Sequence, residues 1–283
     1  IDWEDAKQTV LSSYYAFSTR MGDIGSLFFE NNWIDAKVRP GKTPGAFSHP
    51  TVPTVHPYIL LNYQGRTRDV MTLAHELGHG VHQVLSAEQG ALMADTPLTL
   101  AETASVFGEQ LTFRAILNVE QDPIRRRIML AGKVEDMLNT VVRQDGFWQF
   151  EQRMHELRPK GELSTDMISD VWMDVQSESL GPNIKLHNDY RVYLSYIPHF
   201  IHTPFYVYAY AFGDCLVNAL YGVYQSSLPD FETKYLDMLS SGGSKRHGEL
   251  LEPFGLDASD PSFWNKGLGV VESLIDELEQ EFC

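Results

Sequence analysis

Length, composition and charge already exclude several classes of protein. The chain has 283 residues, of which 43% are hydrophobic, so it is long enough to bury a large core. Its formal net charge of −16 argues against nucleic acid and anionic membrane surfaces as partners. The longest apolar runs also fall short of the roughly 18 residues that a membrane-spanning helix needs. We therefore expect no nucleic-acid partner and no membrane segment.

The first elements of the chain are predicted to be two helices followed by a small β-sheet. Asp2 can cap a helix over Trp3–Arg20, and a second helix is expected over Ile24–Asn31. Three short strands follow, separated by turns rich in proline and glycine: Trp33–Val38, Gly45–Ser48 and Tyr58–Tyr63. The middle strand could bind an extended peptide as an added strand, or it could be a structural hairpin only. The sequence does not decide between them.

A third helix is predicted over Val70–Leu85, with Asp69 as its cap. Its apolar residues recur at helical spacing: Val70, Leu73, Ala74, Leu77, Val81 and Leu85. Gly78 and Gly80 are poor helix formers, which cost about 1 kcal/mol each relative to alanine in mid-helix. We therefore expect another backbone or a substrate to pass close to this helix.

The third helix also carries the most informative motif of the chain, His75-Glu76-Leu77-Gly78-His79. Two histidines four residues apart lie one above the other on a helix face, so their imidazoles can bind one metal ion. Glu76 is offset around the helix, where it can act as a general base towards the attacking water. The alternative is a surface helix that carries two histidines by chance. The cap and the apolar spacing of the helix favour a zinc site.

A catalytic zinc site needs a third protein ligand and one open coordination position. Glu102 is the candidate, because the loop Ala87–Pro97 can bring a following helix back across the third one. Thr99 and Glu102 also match a capping box, in which the glutamate bonds the start of its own helix. The upstream histidine motif favours the ligand interpretation.

Two further residues lie near the expected ligands. Glu109 follows Glu102 by two turns on the same helix face, and it is either a carboxylate that orients a histidine ring or a solvated one. His82 falls near the helix face of His75. We expect His82 to be structural, because a carboxylate completes the usual set of three ligands.

Long helices are predicted through the remainder of the chain. One begins at Asp122-Pro123 and runs to Leu157, and another covers Ser164–Leu180 before Gly181-Pro182. The last three are Tyr206–Tyr224, Phe231–Leu239 and Pro261–Phe282. The sequence therefore predicts a mainly α-helical fold with a small β-sheet before the zinc helix.

The segment Tyr190–Phe212 is unusually rich in phenols and imidazoles. These are Tyr190, Tyr193, Tyr196, His199, His202, Tyr206, Tyr208 and Tyr210. A hydroxyl or imidazole donor aimed at a developing oxyanion can lower a reaction barrier by roughly 2.7–4 kcal/mol. For any single tyrosine the alternative is packing with a locally bonded hydroxyl, which we expect for most of them.

The two cysteines do not form a disulfide framework. Cys215 lies in an apolar helical stretch, and Cys283 is the last residue. A reducing cytoplasm is therefore the expected location. We expect no metal site that uses either thiol.

Several runs of the sequence carry a family resemblance. They are Gly45–Ser48, Pro57–Tyr63, Asp69–Gln83 with its His-Glu-Leu-Gly-His-Gly-Val-His, Leu100–Ser105, Ile197–Phe200 and Pro204–Tyr208. Together they resemble the oligoendopeptidase F family, which belongs to the thimet-oligopeptidase-like zinc metallopeptidases. The similarity covers nearly the whole chain, from Trp3 to the C-terminal helix.

The resemblance implies a metal site and a general base at particular residues. One zinc ion per chain is expected, bound by His75, His79 and Glu102. Glu76 is expected to take a proton from the attacking water and to pass it to the leaving amine.

The resemblance also implies donors for the tetrahedral oxyanion. His199 and Tyr208 match the family positions that stabilise this charge. Tyr206 and Tyr210 are close enough in sequence to be alternatives to Tyr208.

The implied fold is a zincin-like helical metallopeptidase catalytic domain over 1–283, without the N-terminal helical half of the family. Family members are usually twice this length. The expected activity is endopeptidase hydrolysis of internal bonds in short, unstructured oligopeptides. The alternatives are an exopeptidase of carboxy- or dipeptidyl-type on the same scaffold, and a non-catalytic peptide-binding fragment.

Overall fold

The computed structural model describes residues 1–282, which form two compact units. The first unit comprises residues 1–130 and 216–282, and the second comprises Ala131–Cys215. Helices dominate, and a three-stranded sheet lies in the first unit, which confirms the predicted fold class. The expectation of a single catalytic domain over 1–283 stays a prediction. Of the two cysteines, Cys283 lies outside the described residues.

The chain begins with two consecutive helices, α1 (Trp3–Phe17) and α2 (Thr19–Glu30). Asp2 caps α1 as predicted, because its carboxylate accepts a hydrogen bond from the Asp5 amide. The predicted end of the first helix at Arg20 was wrong. Ser18 adopts an extended conformation and its hydroxyl caps the start of α2, so the chain changes direction there.

The three predicted strands are present as β1 (Ile34–Lys37), β2 (Phe47–His49) and β3 (Tyr58–Tyr63). Their order is β1-β3-β2, with β1 parallel and β2 antiparallel to the central β3. Ser48 lies opposite Ile59 in the β2–β3 ladder. As a result, β2 is an edge strand that pairs on one side only.

The central helix of the first unit is α3 (Thr67–Ser86), which begins earlier than predicted. Asp69 does cap it, but from inside its first turn. The Asp69 carboxylate accepts hydrogen bonds from the amides of Arg66 at 3.0 Å and Gln64 at 2.8 Å. The apolar residues predicted to form its inner face are all buried.

The turn before β2 explains why the strand starts later than predicted. Gly45 has a φ of +92°, so it belongs to a turn and not to a strand. The Asn62 side chain fixes this turn by donating to the carbonyls of Thr43 and Gly45. Ser48 then donates to the side-chain oxygen of Gln83 at 2.8 Å, which ties β2 to α3.

Two helices follow a loop after α3: the single turn α4 (Leu98–Ala101) and the longer α5 (Thr103–Val119). At the α3–α5 crossing, a Cβ built on Gly78 would lie 2.5 Å from the Ala104 carbonyl oxygen and 2.6 Å from the Ser105 Cα. The prediction that another backbone passes close to α3 is therefore confirmed at Gly78.

Gly80 makes room for a side chain instead of a backbone. A Cβ at this position would lie 2.5 Å from the ring of Phe28, which is fully buried in α2. The two glycines of α3 thus allow close packing on two sides of the same helix.

The predicted helix from Asp122 to Leu157 is present in two parts. They are α6 (Pro123–Leu138) and α7 (Gln144–Leu157), joined by a wider π-helical turn over Asn139–Arg143. The second unit continues with α8 (Thr165–Leu180) and the short α9 (His199–His202).

The second unit has its own apolar core, formed around Trp172 of α8. The buried members of this core are Phe147, Phe150, Trp172, Val175, Ile197 and Val207. The Trp172 indole N–H donates to the carbonyl of Tyr190 at 3.0 Å, so the ring is both packed and hydrogen-bonded.

The last helices are α10 (Tyr208–Gln225), α11 (Phe231–Ser240), α12 (His247–Leu251) and α13 (Pro261–Gln280). An aromatic cluster in the first unit joins α1, α5, α10 and α11. Its members are Phe17, Phe107, Tyr224, Phe231 and Tyr235.

Within residues 1–282, no helix combines the length and the apolar character needed to cross a membrane.

Replacing Gly78 tests the close approach of α3 and α5. Gly78→Ala is expected to lower the free energy of unfolding by about 1–3 kcal/mol, because the added methyl group meets backbone atoms that cannot move aside separately. Gly269→Ala in α13 is the matched control, since that position is exposed and nothing lies within 4 Å of a built Cβ. The control should gain up to about 1 kcal/mol from helix propensity. Urea unfolding measures both, and a stabilised Gly78→Ala chain would contradict the packing.

Candidate metal centre

Two histidines of α3 and a glutamate at the start of α5 converge in the first unit. His75 Nε2 lies 3.3 Å from Glu102 Oε2, and His79 Nε2 lies 3.5 Å from the same oxygen. The two imidazole centroids are 4.9 Å apart. One donor atom from each of the three residues lies within 4.8 Å of the other two. The fold therefore brings together the three residues predicted to bind zinc.

Two of the distances between these donor atoms fit a tetrahedral zinc ion. Zinc bonds of about 2.0–2.2 Å at tetrahedral angles put neighbouring donors about 3.3–3.6 Å apart. The distances from Glu102 Oε2 to both imidazole nitrogens fall in this range. Two imidazoles and one carboxylate also form a usual catalytic zinc set, which leaves a fourth position for water or substrate.

Glu102 lies at the break between α4 and α5, where its backbone ends one helix and begins the next. Its carboxylate accepts a hydrogen bond from the Ser105 hydroxyl at 2.8 Å and forms no helix-capping bond. The capping-box alternative with Thr99 is therefore not what the structure contains. The break in the helix directs the Glu102 side chain towards α3.

Two buried tyrosines fix the backbone next to the expected ligands. The Tyr14 hydroxyl donates to the carbonyl of Ala74 at 2.5 Å, one residue before His75. The Tyr235 hydroxyl donates to the carbonyl of Thr103 at 2.8 Å, one residue after Glu102. Both side chains are fully buried, and burial raises the pKa of each phenol, so both stay protonated donors. Sequence reasoning missed these two residues, since nothing in their local sequence shows which carbonyl they reach.

Glu109 lies on the other side of the His75 ring. Its Oε2 is 3.4 Å from His75 Nδ1, while Nε2 of the same ring faces Glu102. A carboxylate at the second ring nitrogen fixes the ring orientation and makes the first nitrogen a better metal ligand. Of the two interpretations of Glu109, the structure has the one in which it orients a histidine.

Electrostatics couple His75 to both carboxylates. Burial lowers the pKa of His75, but the hydrogen bonds to Glu102 and Glu109 and their charges outweigh burial and raise it. For Glu102, burial acts to raise the pKa, but the hydrogen bond from His75, the nearby histidine charges and Ser105 together lower it. Glu102 is therefore ionised at neutral pH, which is the form that a cation needs.

The other two histidines of α3 are held neutral. Burial lowers the pKa of His79 to about 4, although the charge of Glu102 acts in the opposite direction. A neutral imidazole is the form that binds a metal. Burial also lowers the pKa of His82 to about 4, and its Nε2 lies 3.2 Å from the Thr96 hydroxyl. His82 is not part of the donor group found within residues 1–282, and its structural role stays a prediction.

Glu76 is buried beside the donor group. Its side chain is 6% exposed, and its Oε2 has no hydrogen-bond partner. Burial raises the pKa of Glu76 to about 7, with Glu102 raising it further and His75 opposing the shift. A buried carboxyl oxygen without a partner is rare in folded proteins. Here it leaves a proton acceptor next to the expected metal position.

The candidate oxyanion donors belong to the second unit. His199 is the first residue of α9, and its Nε2 lies 3.3 Å from the Tyr210 hydroxyl. The His199 and Tyr206 rings stack with centroids 5.7 Å apart. Tyr208 is 40% exposed. Within this unit, His199 is therefore joined to Tyr210 and Tyr206, and the Tyr208 side chain is accessible.

A buried carboxylate that sequence reasoning missed supports this segment. Glu151 of α7 is 4% exposed and accepts a hydrogen bond from the Phe205 amide at 2.8 Å. Phe205 has a φ of +60°, which is strained for a residue with a side chain. Its ring packs on His155, one turn after Glu151. Glu151 is one of many acidic residues in predicted helices, so its sequence context gave no signal.

The mainly helical fold and the His75, His79 and Glu102 donor group are the features expected of a metallopeptidase family. The chain belongs to peptidase family M3, whose sequence profile matches residues 9–270. This confirms the resemblance drawn from the motifs around the third helix and Tyr206.

Curated relatives agree with this assignment. Oligopeptidase PepF of Bacillus subtilis (strain 168) is 29% identical over 282 residues, which cover 99% of this chain and 42% of the relative. The chromosomal oligoendopeptidase F of Lactococcus lactis subsp. cremoris is 30% identical over 255 residues, covering 89% of this chain and 42% of the relative. The chain thus spans less than half the length of these relatives.

Solved structures share the fold. A crystal structure from Chlamydophila abortus, described as a peptidase candidate, has a TM-score of 0.86 at 28% identity and covers 99% of this chain and 47% of the other. Oligoendopeptidase-F from Enterococcus faecium has a TM-score of 0.71 at 22% identity, covering 98% and 43%. The mainly helical arrangement with a small sheet is therefore that of the family.

Removing one donor at a time tests the metal centre. The purified chain is expected to bind one zinc ion, and Glu102→Ala should weaken zinc binding by more than about 100-fold, because a ligand is lost. Glu76→Gln should retain zinc, because Glu76 is not a ligand. Mass spectrometry of metal content after dialysis measures all three. If Glu102→Ala retains zinc and Glu76→Gln loses it, then Glu76 is the ligand and Glu102 is not, and the assignment is refuted.

Proposed function

We propose that this chain acts as a zinc-dependent endopeptidase that hydrolyses internal bonds of short, unstructured oligopeptides. One observation carries the proposal. The donor atoms of His75, His79 and Glu102 lie within 4.8 Å of one another, and the buried Glu76, next to His75 in sequence, has a carboxyl oxygen without a hydrogen-bond partner. A purely structural zinc site would have four protein ligands and no need for a buried base.

In the proposed mechanism, the metal and the side chains around it would have different roles in hydrolysis. When bound, zinc supplies a Lewis acid that polarises the peptide carbonyl and lowers the pKa of water. Glu76 takes the proton of the attacking water and delivers it to the leaving amine. Burial, which raises the pKa of Glu76 to about 7, supports both halves of this transfer, because the carboxyl group can gain and lose a proton near neutral pH.

The edge strand β2 supports the binding of extended peptides. It pairs with β3 on one side only, and Ser48 attaches it to Gln83 on the helix that carries the two histidines. Addition of the substrate as a further strand would use backbone hydrogen bonds, which do not depend on the substrate sequence. This favours broad acceptance of unfolded peptides.

The names of the relatives support the substrate class. They are called an oligopeptidase and an oligoendopeptidase, that is, enzymes named for cutting oligopeptides and for cutting them internally. A location in the cytoplasm stays a prediction from the cysteine content. The roles of His199 and Tyr208 in stabilising the oxyanion also stay predictions, which the resemblance supports.

Loss of the base tests the mechanism. Glu76→Gln is expected to lower the hydrolysis of an end-blocked, internally quenched peptide by at least about 10²-fold while keeping the zinc content, because the proton acceptor is removed and the ligands remain. Glu88→Gln is the matched control, since Glu88 is exposed just after α3 and should change neither quantity. A stably folded protein should stay intact under the same conditions.

The same assay separates the alternatives. An exopeptidase would cut the peptide with free ends and leave the end-blocked one intact. A non-catalytic binding module would cut neither peptide. Unchanged hydrolysis by Glu76→Gln would rule out Glu76 as the base.

Tyrosine substitutions test the oxyanion donors. Tyr208→Phe is expected to lower kcat by about 10²–10³-fold with little change in KM, because the hydroxyl would act in the transition state only. Tyr196→Phe is the matched control, an exposed tyrosine of the same segment. Steady-state kinetics on the end-blocked peptide measures both. The assignment of Tyr208 is wrong if Tyr210→Phe produces this loss and Tyr208→Phe does not.

A further inference from the structure

A cavity of about 720 Å³ opens next to the candidate metal centre in the first unit. Five residues of α3 line it, and three of these are His79, Gln83 and Ser86. Spacings of four and three residues put them on one face of the helix. Ala101, which precedes Glu102, lines the same cavity. The helix face that carries a metal ligand therefore continues as a wall of this cavity.

The cavity lining also contains an aromatic stack. The rings of Trp33 and His56 are parallel within 5°, with centroids 4.0 Å apart, and Phe28 packs edge-on against Trp33 at 5.2 Å. His56 Nδ1 donates to the Pro57 carbonyl at 2.9 Å, which fixes the imidazole. The Thr51 hydroxyl donates to the His56 carbonyl at 2.9 Å, which fixes the loop that carries it. These two hydrogen bonds hold the aromatic wall in place.

The rest of the lining is mainly apolar and carries little charge. The larger apolar residues are Leu27, Pro50, Val52, Pro53, Val55 and Val84. Within the described part of the chain, no lysine or arginine lines the cavity, and Asp95 is its one carboxylate. Such a lining favours apolar side chains, and an acidic side chain would lose its hydration without gaining a cation.

We propose that this cavity is a substrate subsite that takes apolar or aromatic side chains of the peptide on one side of the scissile bond. This proposal rests on the proposed function and adds a side-chain preference to it. A volume of about 720 Å³ is within the range of about 300–1,000 Å³ for small-ligand sites, so the subsite has room for two or three consecutive residues.

Continuity with the site identifies the substrate as the occupant. His79 contributes to both the donor group and the cavity. Strand β2 ends at His49, and the next residue, Pro50, lines the cavity. Gln83 lines it too and is bonded to Ser48 of β2. A peptide that extends β2 would therefore lie beside the cavity.

Peptide binding measured by calorimetry tests the subsite. The zinc-loaded Glu76→Gln chain is titrated with end-blocked peptides that carry Phe, Leu, Gly or Glu at each position in turn. At one position, or at two neighbouring ones, Phe should bind at least about tenfold more tightly than Glu. The other positions should show smaller differences.

A positive charge introduced at the rim of the cavity tests whether the cavity sets the side-chain preference. Val55 is 55% exposed, so Val55→Lys adds a cation to the lining without disturbing the core. It should reduce the preference for Phe over Glu at least about fivefold. Val119→Lys is the matched control, because Val119 is 72% exposed at the end of α5 and does not line the cavity. It should leave the preference unchanged.

The outcomes separate the subsite from the catalytic proposal. A flat binding profile, or the same effect from both lysine variants, overturns the subsite. Turnover of the parent chain is measured on the same peptides. If the chain binds the peptides selectively but cleaves none of them, the subsite is supported and the endopeptidase proposal is refuted. If it cleaves the peptides but binds them without selectivity, the endopeptidase proposal is supported and the subsite is refuted. A dimer that Val55→Lys dissociates would make the cavity an interface between copies and overturn the proposal.

Discussion

The candidate metal centre depends on how closely the backbone of α5 approaches α3 at Gly78. Gly78 lies between the two histidines in sequence, and the α5 atoms that it faces belong to Ala104 and Ser105, just after Glu102. Any side chain at position 78 would have to displace this backbone and the glutamate with it. A mid-helix glycine costs about 1 kcal/mol of helix propensity. That cost is understandable because the glycine lets two helices bring the three candidate ligands close together.

Buried hydrogen bonds and charges then hold the donors in place. Tyr14 and Tyr235 bind the carbonyls adjacent to His75 and Glu102, so the backbone on both sides of the site is fixed. The His75 ring lies between two carboxylates, Glu102 and Glu109. Charges concentrated in a buried region are unfavourable unless they are paired. A divalent cation at the donor group would offset the excess negative charge, which is an electrostatic reason for the site to bind one.

In the proposed arrangement, one face of α3 would contact both the metal and the substrate. His75 and His79 point to the donor group, and Gln83 and Ser86 continue the same face into the cavity. The cavity wall of Trp33 and His56 belongs to the sheet side of the first unit, before β3. Chemistry and side-chain selection would therefore be coupled through one rigid helix. Broad backbone recognition by an edge strand and selective burial of one or two apolar side chains are compatible, because they use different parts of the peptide.

The sequence by itself determined the elements whose signals are local. The helix of His75 and His79 follows from periodicity, and the strand at Tyr58–Tyr63 follows from its composition and bounding turns. Local signals were wrong where one residue redirects the chain. Ser18 ends one helix by capping the next, and Gly45 adopts a left-handed turn in a predicted strand.

Tertiary structure decided which distant groups meet. The meeting of Glu102 with the histidines was predicted from a motif, but the reason for it, the α3–α5 contact at Gly78, became visible in the fold. The bond from Tyr235 to Thr103 and the stack of Trp33 on His56 had no sequence signal at all. Periodicity and capping depend on neighbours within a few residues along the chain. Contacts between elements depend on packing, which one sequence does not specify residue by residue.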